Sequence, residues 1–164
     1  MTDMDYILKA AMIGLGGTIV LDLWALFLAR AFGVPATNWP MVGRWIGNMP
    51  RGQFVHDSMA KADPVQGEAA IGWIAHYLIG AGYGLLLLAF WGRGWIAQPT
   101  PLPPLILSWL LLVAPYFLMM PGMGLGIAGA RTPKPNVTRL KSLVSHSVFG
   151  IGMYGSALLL ATPA

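Results

Sequence analysis

Residues 68–91 read EAAIGWIAHYLIGAGYGLLLLAFW. After Glu68 the stretch carries no Asp, Glu, Lys or Arg, and its only other ionisable side chains are His76 and two tyrosines. As a helix rising about 1.5 Å per residue it reaches roughly 36 Å, enough to cross about 30 Å of hydrocarbon. It does not alternate in polarity, as a barrel strand would. A helix that satisfies all its backbone groups internally is the remaining way to put this stretch in lipid.

Working outward, three more runs have the same character: about 7–32, 105–130 and 143–161. The composition agrees. Of 164 residues, 56% are hydrophobic and only 10% are charged, against about 25% charged in an ordinary soluble domain. That excludes a disordered chain, a coiled coil and a soluble globule. The expectation is an all-α, polytopic membrane four-helix bundle forming a single integral membrane domain over 1–164. With no cysteine, disulfides, thiolate metal sites and cysteine nucleophiles are excluded. The first run lacks a basic leader and a cleavage motif, so it is expected to be a retained helix.

Charge sets the expected topology. The connection after the first run, with Arg30, holds Arg44, Arg51 and Lys61; the connection after the third holds Arg131, Lys134, Arg139 and Lys141. Only Lys9 and Arg93 fall on the other side. Basic loops stay in the cytoplasm, so both termini are expected on the opposite, periplasmic side. The net charge of +4 is therefore a topology signal, and no nucleic-acid partner is expected.

The long first loop is expected to contain short interfacial helices. Thr37 or Asn38 can cap one, with Pro40 in its first turn, and Val42, Trp45, Ile46 and Met49 follow at helical spacing. A second is expected over 54–62, where Asp57 and Lys61 are spaced to pair.

Ionisable side chains inside a span are costly and usually functional. Asp22 lies eight residues before Arg30, His76 eight after Glu68, and His146 seven after Arg139. At about 1.5 Å per residue all three sit roughly 10–12 Å below the cytoplasmic end. Each also shares a face with small residues: Gly14–Thr18–Asp22, Gly72–His76–Gly80–Gly84 and Ser142–His146–Gly150. Small residues at this spacing mark close helix contact, so the three are expected to converge. Glu68 would sit at the rim, and His56 on the loop above.

The plain reading of this cluster is a set of hydrogen bonds holding the helices in register. The leading functional expectation is a site for a transition metal (zinc, iron or copper) or haem, possibly redox-linked, held by His76, His146, Asp22, Glu68 and His56. Met119 and Met123 are candidate soft ligands. The rivals are a small-solute or proton-coupled transporter working as an oligomer and a structural subunit of a larger membrane complex. Arg44, Arg51, Arg131 and Arg139 are candidate ligands for an anion or lipid headgroup. No catalytic residue is assigned, since no phosphate loop, serine elbow or dinucleotide motif occurs. The expected partners are membrane lipid and other copies or subunits.

Several strings together resemble a known family: LDLW (21–24), FGVPATNW (32–39), VGRWIG (42–47), RGQFVH (51–56), PVQGEAAIGWIAHY (64–77), MPGMGLG (120–126), ARTP (130–133) and HSVFGIGMYG (146–155). They are similar to a domain-of-unknown-function family of small four-span bacterial inner-membrane proteins. The resemblance implies the four-span architecture and no assigned activity. It also implies that His often stands where this chain has Asn48.

Overall fold

A computed structural model describes residues 2–161. Among them all regular structure is helical, and four helices are long and apolar enough to cross a membrane: Asp3–Phe32, Glu68–Ala97, Leu102–Gly122 and Pro135–Leu160. The chain divides into two compact units, one of 1–36, 77–110 and 144–164 and the other of 37–76 and 111–143.

The first unit holds α1 (Asp3–Phe32), most of α3 (Glu68–Ala97), α4 (Leu102–Leu110) and most of α6 (Pro135–Leu160). Thr2 caps α1 through a reciprocal pair of hydrogen bonds with Asp5. Small residues bring α1 and α3 together. A Cβ on Gly14 would collide with the Gly80 carbonyl, and one on Gly84 with the Ala10 carbonyl. The other side of α1 meets α6, where Gly17 lies under Met153 and Phe149. Gly150 of α6 lies against Pro104 and Ser108 of α4. Three hydroxyls in these contacts donate to their own helix: Thr18 to the Gly14 carbonyl at 3.0 Å, Ser108 to Pro104 at 2.7 Å and Ser156 to Gly152 at 2.8 Å. Bonding back in this way lets a hydroxyl sit in an apolar contact with its donor satisfied. The outer faces carry large apolar side chains such as Leu23, Phe27, Leu78, Phe90 and Leu110. A soluble protein rarely exposes so much contiguous apolar surface; a bilayer covers it.

The second unit holds α2 (Trp39–Asn48), the first turns of α3 and the end of the third apolar helix. Asn38 caps α2 by accepting from the Met41 amide at 3.2 Å, with Pro40 in the first turn, as its sequence signals. A 3₁₀ turn, Met49–Arg51, follows. Residues 54–62, expected to be helical, instead form bends and turns. The segment is pinned from outside: the His56 amide donates to the Gly122 carbonyl at 2.9 Å, and the Trp45 indole donates to the Phe54 carbonyl at 2.9 Å. These tertiary bonds replace the i, i+4 ladder.

The third apolar helix begins at Leu102, with Pro103 and Pro104 in its first turn, where no intrahelical donor is needed. It passes through a π-helical turn, Pro115–Met119, and closes in α5 (Met120–Gly122). Residues 123–130, expected to continue it, leave the helix. Gly124, Gly126 and Gly129 adopt positive φ, and Ala128 joins them at φ 48°. Helix α3 runs past Trp91, with a non-helical break at Gly92. The second unit has its own apolar core, with Val42, Met59 and Met123 buried among Trp39, Trp45, Ile46 and Met119.

Candidate functional site

Asp22 is the one carboxylate well inside α1, and in the first unit it meets α3. The Tyr77 hydroxyl donates to Asp22 Oδ2 at 2.9 Å. The approach of the two helices at Gly14, Thr18, Gly80 and Gly84 sets this up. One turn beyond Thr18 the helices still run close enough for a carboxylate and a phenol to touch. Asp22 is eight residues from Arg30, and Tyr77 is nine from Glu68. Both therefore lie roughly 12–14 Å along their helices from those charged ends.

His76 precedes Tyr77 in α3, and successive helical residues differ in direction by about 100°. In the second unit its ring stacks on Trp39, with centroids 3.9 Å apart and planes 26° apart. Trp73 meets it edge-on at 5.8 Å. The imidazole is only 6% exposed. Trp39 reaches it because α2 crosses α3 backbone to backbone: a Cβ on Gly72 would collide with the Trp39 carbonyl, and one on Gly43 with the Glu68 carbonyl.

Glu68 and Arg44 form a two-pronged ion pair. Arg44 Nε donates to Oε2 and NH2 to Oε1, both at 2.8 Å. Arg44 NH1 also donates to the Met59 and Ala62 carbonyls, and Glu68 Oε2 accepts from the Val65 amide. The hydrogen bond to Glu68 holds the guanidinium above its already high ordinary value. Arg44 is thus committed to a carboxylate and two carbonyls. Beneath it Asn48 is fully buried and donates to the Arg44 and Asp63 carbonyls, while its own carbonyl accepts from Arg51. Asn48 stands at the position where the resemblance implies His, and here it ties α2 to the loop.

His146 is half-buried on α6 in the first unit. His56 lies in the pinned loop of the second. Met123 is buried in the apolar core of the second unit, with Met119 packed against it. Methionine often fills cores in this way. Arg139 donates to the Ala128 carbonyl and to Asn136. Arg131 is exposed. Among the described residues no group of three or more His, Asp and Glu stands close enough to hold a metal ion.

A family described as "Protein of unknown function (DUF2938)" matches residues 11–160. The chain belongs to this family. Neither a curated protein nor a solved structure matches it. In this DUF2938 chain two residues emerge that the sequence left unmarked, Tyr77 and Trp39. Each had a signal. Tyr77 is a hydroxyl donor at the depth of Asp22 on a neighbouring span, and Trp39 is the first residue of a short capped helix.

Proposed function

We propose that this DUF2938 protein is a proton-coupled inner-membrane carrier, working as an oligomer, in which Asp22 takes up and releases the proton. The observation that carries the reading is the hydrogen bond from Tyr77 to Asp22 between two apolar helices. A charged side chain deep in a span costs on the order of 2.5–3.5 kcal/mol. An interhelical hydrogen bond in a membrane returns about 0.6 kcal/mol on average. Bonds of that size make holding helices in register a weak reason for ionisable groups at this depth, whereas proton exchange needs one. Tyr77 supports the role: its hydroxyl stabilises the carboxylate by donating, and accepts when Asp22 is protonated. Four helices are few to enclose a pathway, which favours an oligomer. The basic second unit would face the cytoplasm.

Proteoliposomes holding an entrapped pH dye, driven by a potassium diffusion potential, test this. The wild-type chain is expected to admit protons faster than protein-free vesicles. Asp22→Asn is expected to fall to the protein-free rate, and Tyr77→Phe to lie between. A wild-type rate equal to protein-free vesicles, or an Asp22→Asn rate equal to wild type, contradicts the reading.

A further inference from the structure

The loop between α2 and α3 is fastened almost wholly through its backbone. The Phe54 carbonyl accepts from Trp45, the His56 amide donates to Gly122, the Met59 and Ala62 carbonyls accept from Arg44, and the Asp63 carbonyl accepts from Asn48. Met59 anchors it in the core. Its polar side chains are left to line a cleft of about 420 Å³, bounded chiefly by Gln53, His56, Asp57, Ser58, Lys61 and Asp63. Among the described residues the carboxylates of Asp57 and Asp63 and the ammonium of Lys61 make no hydrogen bond or ion pair within the protein. His56 is one of the residues lining the cleft, and its Nε2 is shielded from solvent with no hydrogen-bond partner. Buried polar atoms are nearly always paired, so an orphan on a cleft-lining residue calls for an explanation.

We infer that this cleft binds an aminoethyl phosphate group, either the headgroup of phosphatidylethanolamine or the free zwitterion. The lining is mixed in sign. Two carboxylates suit an ammonium, while Lys61 and the His56 imidazole suit a phosphate a few bonds away. A simple anion would meet both aspartates, and a simple cation would meet Lys61. The zwitterion satisfies both sets. Phe54 and Val55, beside the cleft, are 59% and 75% exposed, which suits the acyl end of a lipid-borne group. The scaffold is preformed by the backbone bonds, so little ordering cost is added on binding. The inference is independent of Asp22.

The test is titration calorimetry of the full-length chain in detergent with O-phosphoethanolamine, and native mass spectrometry of the chain from nanodiscs of phosphatidylethanolamine or phosphatidylglycerol. Saturable binding of O-phosphoethanolamine, weakened about tenfold or more in Asp57→Asn/Asp63→Asn, supports the site and shows that the free zwitterion suffices. No binding of the free compound, with selective retention of phosphatidylethanolamine that the double variant loses, supports the site and assigns it to lipid. Inorganic phosphate binding as tightly as O-phosphoethanolamine overturns the inference, because the ammonium is then unread. No selective binding in either form overturns it, as does binding that the double variant leaves intact. Lys61→Gln is expected to weaken binding through the phosphate. Asp22→Asn is expected to bind as the wild type does, so the two proposals fail separately.

Discussion

The two compact units of this chain hold their helices with a different balance of close packing and charge. The first has as many acidic as basic residues, and the second has seven basic against three acidic, so the whole net charge of +4 lies in the second. In the first unit helices meet through glycines so closely that a Cβ would strike a facing carbonyl. Lipid offers no hydrophobic drive between helices, so contact must come from close approach and dispersion. In the second unit one helix crossing is equally close, but it is reinforced by the Arg44–Glu68 pair, a buried asparagine and a core of Met, Val and Trp. The contrast shows where each kind of glue works. Small residues serve in lipid, while charges and buried amides serve where a loop must be tied down.

Substitutions can break or sharpen that contrast. Gly84→Leu is expected to do most harm, because its side chain would collide with the α1 backbone at Ala10. Overpacking of this kind costs about 3 kcal/mol or more, read as a loss of folded protein in detergent unfolding curves. An equally stable Gly84→Leu would mean that close packing does not hold the first unit. Asn48→Ala should cost about 2 kcal/mol by deleting a fully buried amide that donates to the Arg44 and Asp63 carbonyls. Proteolysis within 53–63 of the folded protein should rise in that variant, with α1 unaffected; uniform loosening of both units would argue against a local tie.

How far the sequence could be read divides along the same line. The four spans were legible because uncharged length is a one-dimensional property. Helix α2 was legible because Asn38 and Pro40 state its start locally. The segment 54–62 was not: the spacing of Asp57 and Lys61 suggested a helix, but its conformation is set by partners at Trp45, Arg44 and Gly122, far along the chain. Glycines 124, 126 and 129 lie inside the run expected as the third span, yet they stop the helix through positive φ. At the site, the stripe Gly14–Thr18–Asp22 faces α3, and the Tyr77 phenol donates to Asp22. Depth could be counted along the chain; that a phenol reaches Asp22 depends on how the helices cross.

Smaller effects refine the picture. Trp39→Leu removes the ring stacked on His76 and is expected to cost about 1 kcal/mol, with a change in the near-ultraviolet dichroism. An unchanged spectrum would mean that the stack is not held in solution. Tyr77→Phe should be the mildest for stability, about 0.6 kcal/mol, while still slowing proton uptake. A large loss of stability with normal uptake would recast the pair as structural.

The most direct test is infrared difference spectroscopy of the reconstituted protein as the pH is lowered. A carboxylic-acid stretch that grows in, vanishes in Asp22→Asn and moves in frequency in Tyr77→Phe is the expected result, reporting a titrating carboxyl that touches the phenol. A spectrum in which no such band depends on Asp22, or in which Tyr77→Phe leaves that band in place, contradicts the account.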